Sequence, residues 1–132
     1  MSFAPIAPQL FPGGLAGVVF DCDGVMIDSR EANRAFYNRV LAVLGLGPMG
    51  PEEESYAFMA TAMEALRRMV PEERHDEIEG AVMRVDYGKE VLPLVRLMPG
   101  FLPFIETLHA AGSRLAIDTN RTDIGIQRVL DF

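Results

Sequence analysis

The 132-residue chain has one lysine, one cysteine, two histidines and no tryptophan. Each scarcity excludes something. With Cys22 as the only cysteine, no internal disulfide can form, which suits a reducing compartment. Eleven of the twelve basic residues are arginines, so any chemistry that needs a lysine has Lys89 as its sole candidate. No apolar run reaches the roughly 18–20 residues of a membrane-spanning helix. The stretch Ser2–Gly14 (SFAPIAPQLFPGG) lacks a basic start and carries three prolines, so it does not read as a secretory leader. A cytoplasmic location is the resulting expectation. Positive charge is also short. A net charge of −7 argues against nucleic acid or an anionic membrane as partner. An acidic protein that handles an anionic substrate needs a local positive device, such as a metal ion or a helix N-terminus.

What is present is enough apolar material, 49% of the chain, for a packed core in a chain of single-domain length. Residues 1–14 read as an irregular lead-in punctuated by prolines and closed by Gly13-Gly14. Leu15–Phe20 is a short run that is apolar on both faces, the pattern of a strand inside a parallel sheet. Residues 29–45 read as an amphipathic helix with Ser29 as N-cap and Ala32, Phe36, Val40, Val43 and Leu44 on one face. A second helix is expected over 51–69, with Pro51 and three glutamates at its start and Arg67-Arg68 at its end. A third is expected around 72–85, and a short segment over Lys89–Leu97 is interrupted by Pro93. Phe101–Ala111 reads as a helix stopped by Gly112. Arg114–Asp118 reads as a second strand, and Asp123–Phe132 as a final helix.

The order is strand, helical insert, helix, strand, helix. Two strands that both end in polar residues point to a parallel pair with a site at their carboxyl ends. Parallel sheets need further partners and cover on both faces, so the expectation is a chain that stops before its sheet is complete.

The stretch VVFDCDGVMIDS, residues 18–29, carries the strongest chemical signal. In an extended strand, residues i and i+2 point the same way, which would put the carboxylates of Asp21 and Asp23 in one small space. Gly24, directly after them, marks where the chain could already be turning. A divalent cation relieves such repulsion, and Mg²⁺ favours oxygen ligands while keeping several waters. Alternatively, one carboxyl keeps its proton and serves as an acid. Both arrangements suit phosphoryl transfer, with one aspartate attacking phosphorus and the other handling the leaving-group proton. The plainer reading is a pair of solvated turn residues. A calcium loop is excluded because that pattern would next need Asp or Asn at position 25 and has Val25.

This stretch resembles motif I of the haloacid dehalogenase-like (HAD) superfamily, in its phosphatase branch. LMPGFLPFIETLHAAGSRLAIDTNR, residues 97–121, resembles the segment that ends in motif II, where a small hydroxyl residue follows the second strand. The resemblance covers the chain from about Leu15 onward, and phosphoglycolate phosphatase-like enzymes are the nearest in general look. It implies an α/β fold: an incomplete HAD-type Rossmannoid parallel sheet, made of the first two core strands, with an inserted α-helical C1 cap. Residues 15–29 and 96–132 would form the partial core, and 30–95 the cap. Asp21 would be the nucleophile that forms an aspartyl-phosphate, and Asp23 the general acid/base. The Asp21 carboxylate and the Asp23 backbone carbonyl would bind Mg²⁺. Thr119 and the backbone amide of Asn120 would bind the phosphoryl group, and Gly24 would let the backbone turn towards it. The substrate would be a small phosphorylated metabolite.

The dehalogenases of this superfamily lack an aspartate two residues after the nucleophile, so Asp23 favours phosphate esters. The phosphonatase branch uses a cap lysine, and Lys89 lies late in the insert outside any recognisable motif. The family also needs a motif III lysine, occasionally an arginine, and motif IV acidic residues after motif II, and Arg121 and Arg128 lie too close to motif II to fit motif III. No lysine follows Lys89, and Asp123 and Asp131 are the only acidic residues after Thr119. The catalytic set is therefore expected to be half present and activity impaired. The alternative is a non-catalytic truncated or split-gene product that needs a partner chain, or self-association, to complete its sheet. Elsewhere Cys22 reads as a small buried thiol, His75 and His109 as surface or cap residues, Glu52–Glu54 as a solvated helix start, and the insert methionines as packing residues. Asp86-Tyr87-Gly88 matches a kinase tripeptide only superficially, and Asn120-Arg121-Thr122 matches a glycosylation acceptor without a secretion signal.

Overall fold

The computed structural model describes residues 8–132, so the first half of the lead-in lies outside the described residues. The fold is α/β, and the chain divides into two compact units. The first comprises the residues up to Asp28 together with Arg96–Thr119. Its centre is a parallel pair, β1 (Gly17–Phe20) and β4 (Arg114–Ile117), in register from Gly17 opposite Arg114 to Phe20 opposite Ile117. Before β4 comes α6 (Phe101–Ala110). It stops where Gly112 takes a φ of +80°, a conformation that costs glycine nothing. The Ser113 N–H then bonds the Leu108 carbonyl, and the Ser113 hydroxyl donates to Leu15 O at 2.6 Å, which aligns β4 with the start of β1.

Phe20 fixes the packing of α6. Its ring meets Phe101 and Phe104 edge-on, with centroids 5.3 and 6.2 Å away. Side chains alternate along a strand, so Val19 faces the other way, and it is 67% exposed. The sequence leads one to expect both faces of β1 to be buried. The sheet has only two strands among the described residues, so one face and both edges are open. A second ribbon, β2 (Ile27–Asp28) with β3 (Arg96–Leu97), is antiparallel and continues through a Met98 N–H bond to Met26 O at 2.9 Å.

The second unit comprises Ser29–Val95 and Asn120–Phe132 and is helical. Ser29 stands at the N-cap of α1 (Arg30–Val43), but its side chain makes no cap bond. Of the expected face, Ala32, Val40 and Leu44 are buried, while Phe36 and Val43 are only half-buried and Tyr37 and Leu41 are buried beside them. The single helix expected over 51–69 is two, α2 (Pro51–Met59) and α3 (Ala62–Met69). The break has a local cause. The Thr61 hydroxyl accepts the Glu64 N–H while the Glu64 carboxylate accepts the Thr61 N–H, a capping box that starts a new helix. The helix expected around 72–85 is a 3-10 segment, Glu72–Glu77, followed by α4 (Ile78–Met83). In that segment His75 Nε2 lies 2.9 and 3.0 Å from the carbonyls of Arg67 and Val70 at the end of α3. It is half-buried in the helical insert and meets the end of a helix.

Helix α5 (Tyr87–Glu90) is capped by Asp86, whose carboxylate accepts the Lys89 N–H, and this accounts for the Asp-Tyr-Gly tripeptide. The core of the unit contains Val40, Leu66, Ile78 and Val91, all essentially inaccessible. Met59 and Met83 point to solvent, against the expectation that they pack. Helix α7 (Asp123–Leu130) is capped by Thr122, whose hydroxyl accepts the Gly125 N–H.

Candidate active site

The site is built by the way β1 and β4 end. The last ladder bond runs from the Asp118 N–H to the Phe20 carbonyl at 2.8 Å. The two strands are parallel, so their next residues, Asp21 and Thr119, leave from the same, carboxyl end of the pair. In an open α/β sheet this is the end at which ligands bind.

Extended structure stops at Phe20, so the two aspartates are not displayed along a continuing strand. A tight turn places them. The Cys22 carbonyl accepts the N–H groups of Met26 (2.9 Å) and Ile27 (3.2 Å), and the Gly24 N–H donates to Ile27 O at 2.7 Å. Gly24 has a φ of +79°, which only glycine adopts without strain. Cys22 is fully buried and anchors the turn from inside, as a small apolar thiol would. Asp23 is half-buried and forms an isolated bridge with Ile27. Asp21 is exposed, and its Oδ1 accepts the Cys22 N–H at 2.7 Å. That bond fixes one carboxylate oxygen and so orients the other.

Asp21, Asp23, Gly24 and Thr119 thus belong to one unit, around the carboxyl ends of one strand pair. Asn120 follows Thr119 in the chain but groups with the helical unit, where its side-chain amide lies 3.4 Å from Ala60 O. Beyond it, Arg121 donates to the Tyr87 hydroxyl at 3.1 Å, and the Arg128 guanidinium lies 5.6 Å from the centre of the same ring. The antiparallel ribbon that secures the turn through Ile27 escaped sequence reasoning, since each strand is two residues long and has no periodicity to detect.

Among the described residues no group of three or more His, Cys, Asp or Glu side chains converges on one point. The oxygen donors of Asp21 and Asp23 suit a hard cation that keeps much of its water, which describes Mg²⁺ better than Zn²⁺. Among the described residues no helix is long and apolar enough to cross a membrane.

A family model described as haloacid dehalogenase-like hydrolase matches residues 18–132. The chain is 29% identical over 124 residues to a phosphoglycolate phosphatase of Cereibacter sphaeroides, covering 88% of this chain and 56% of that protein. It is 30% identical over 131 residues to a phosphoglycolate phosphatase of Pseudomonas putida, covering 93% and 48%. The chain thus spans about half the length of these curated relatives. Among solved structures, a HAD-superfamily hydrolase of subfamily IA from Geobacter sulfurreducens superposes with a TM-score of 0.67 at 28% identity, covering 89% of this chain and 57% of that one. A haloacid dehalogenase-like family protein from Streptococcus pneumoniae, at 15% identity and a TM-score of 0.74 over 89% and 55%, shares the fold. The strand pair, the aspartate turn at its carboxyl end and the match over 18–132 lead to one conclusion: the chain belongs to the haloacid dehalogenase-like hydrolase family.

Proposed function

We propose that the chain carries the nucleophile half of a phosphatase that hydrolyses a small phosphomonoester through an aspartyl-phosphate. The observation that carries this reading is the Asp118–Phe20 bond, which brings Asp21 and Thr119 out of the sheet together. Asp21 is the nucleophile: Oδ1 is held by the Cys22 N–H, and Oδ2 is presented to phosphorus. Asp23, two residues on and across the turn, protonates the leaving alkoxide and then takes a proton from the hydrolytic water. The Thr119 hydroxyl and the Asn120 backbone amide bind phosphoryl oxygens, and Gly24 lets the backbone turn towards them. The Asp21 carboxylate and the Asp23 carbonyl would hold Mg²⁺, which when bound offsets the charge of the phosphate oxygens. The relatives named phosphoglycolate phosphatase support a small phosphorylated metabolite as the substrate class. The single, buried cysteine fits a cytoplasmic setting.

The test is covalent. The chain is incubated with Mg²⁺ and acetyl phosphate, reduced with borohydride, and the peptide spanning residue 21 is read by mass spectrometry. Conversion of Asp21 to homoserine, absent in Asp21→Asn, supports the reading. Label at another carboxylate with Asp21 unmodified overturns it.

The open sheet favours a second reading. Val19 and Leu115 are exposed on strands of a kind normally covered on both faces. In this reading the chain is non-catalytic, and a partner chain or a second copy completes the sheet along its free edges. Light scattering after size exclusion tests self-association, and a monodisperse monomer that also labels at Asp21 removes the reading.

A further inference from the structure

In the helical unit Arg34, Arg39 and Arg74 each face a glutamate: Glu54, Glu90 and Glu77. Arg68 faces a ring instead. Its guanidinium lies 4.3 Å from the centre of the Tyr56 ring. Stacking of this kind orients the planar group yet leaves its N–H edge unspent. Arg68 stands in the last turn of α3, and Glu52 in the first turn of α2. The two helices are joined by Ala60 and Thr61, so both residues lie towards the open end of the hairpin. With Pro51, Ser55, Tyr56 and Met59 they line a shallow, open groove on the surface of the two helices.

The chemistry of the lining is asymmetric. Arg68 offers a charged fork suited to a carboxylate or phosphate. Tyr56, Pro51 and the 75%-exposed Met59 offer apolar surface. The Ser55 hydroxyl is spent as a donor on Pro51 O at 3.0 Å and is left as an acceptor. Glu52 adds a second acceptor and repels a second negative charge. We propose that this groove binds a small organic monoanion with a flat apolar body and a hydrogen-bond donor at the end away from its charge. The proposal uses none of the chemistry assigned to Asp21.

The probe is 4-hydroxybenzoate, titrated into the ¹⁵N-labelled 132-residue chain without Mg²⁺. Amide shifts are expected at Ser55, Tyr56, Met59 and Arg68. Arg68→Gln should weaken binding about tenfold or more, as loss of a charged hydrogen bond does. Phenol, which lacks the anion, should bind far more weakly. Terephthalate, with a second carboxylate, should bind more weakly than 4-hydroxybenzoate, and Glu52→Gln should narrow that gap. Asp21→Asn should leave the titration unchanged, so failure at Asp21 and failure here are distinguishable. Shifts that map away from these residues, an Arg68→Gln variant that binds as the parent does, or phenol binding as tightly as 4-hydroxybenzoate overturns the proposal.

Discussion

The Asp118 N–H donates to the Phe20 carbonyl at 2.8 Å, and this is the last bond of the parallel ladder before both strands give way to polar residues. The bond reaches across some hundred residues of sequence and sets which loops share one end of the sheet. Asp118→Pro deletes the donor and also disturbs the preceding residue. It should lower stability by about 1 kcal/mol or more, a typical net value for one such bond plus the backbone conflict. Asp118→Asn keeps the N–H and should be close to neutral. Urea unfolding of the two variants checks this, and equal midpoints would show that the bond does not secure the strand ends.

Gly24 sits at a φ of +79° while its N–H holds Ile27. An L residue there pays the left-handed cost of about 1–2 kcal/mol. Gly24→Ala should therefore lower the unfolding free energy by that order and Gly24→Val by more, with label at Asp21 falling in parallel. A Gly24→Ala midpoint within error of the parent would show that the turn relaxes into another form.

Much of this was legible in the sequence, for physical reasons. The apolar run ending in Asp21, the Gly112 stop and the second apolar run ending near Asp118 are local patterns, and local patterns survive without coordinates. The α/β class and the parallel pair followed from them. The face of α1 followed only in part: Ala32, Val40 and Leu44 are buried as expected. Tyr37 and Leu41 are buried in place of Phe36 and Val43 because tertiary packing chooses between adjacent stripes of similar hydropathy. The split of the second helix was readable in Thr61-x-x-Glu64, but the good helix formers on both sides masked it. At the site, the i, i+2 argument for Asp21 and Asp23 rested on an extended chain that ends at Phe20. The sequence marked the turn only through Gly24. No periodicity encodes the carbonyl of Cys22 as the acceptor that organises it.

The capping box at Thr61 gives a pH signature. The Thr61 hydroxyl and then its backbone N–H hold the Glu64 carboxyl below its ordinary value. A depressed carboxyl contributes stability that is present above its unfolded value, near 4.5, and is lost as pH falls through the lower folded value. Helix α3 should thus fray in acid below about pH 4.5. Thr61→Ala should cost about 1 kcal/mol near neutrality, as lost N-caps do. It should also flatten the acid dependence. Thermal melts at pH 7 and pH 3.5 on parent and variant measure both, and an unchanged acid slope in Thr61→Ala would assign the pH dependence to other carboxylates.

Tyr87 holds the segment that follows Asn120 in two ways. Its hydroxyl accepts from Arg121 at 3.1 Å, and its ring lies under Arg128 at 5.6 Å. Phe36 meets the same ring edge-on at 6.1 Å. Tyr87→Phe removes the hydroxyl and keeps both ring contacts, whereas Tyr87→Ala removes all three. Amide exchange of the peptide covering α7 should rise modestly in the first and strongly in the second, with α3 unchanged. Equal exchange in parent and Tyr87→Ala would show that Tyr87 does not retain α7 in the helical unit.

Phosphoryl transfer needs positive charge at the point where negative charge develops, and removing one such group usually costs orders of magnitude in rate. The resemblance assigns that role to a lysine after motif II, and the only lysine here, Lys89, precedes it. The arginine directly after the Thr119-Asn120 pair is bonded to Tyr87 in the helical unit. In the proposed reading Asp21 would be the nucleophile and Asp23 the acid, with no lysine after Thr119 in these 132 residues to offset their charge. The 132-residue chain should show little or no Mg²⁺-dependent hydrolysis of p-nitrophenyl phosphate, and Asp21→Asn should not measurably change that background. Label at Asp21 should still accumulate from acetyl phosphate, because a mixed anhydride is a better phosphoryl donor than an ester. Robust ester turnover that Asp21→Asn abolishes would overturn this expectation and assign the missing charge to a residue already in the chain, with Arg121 the first to substitute.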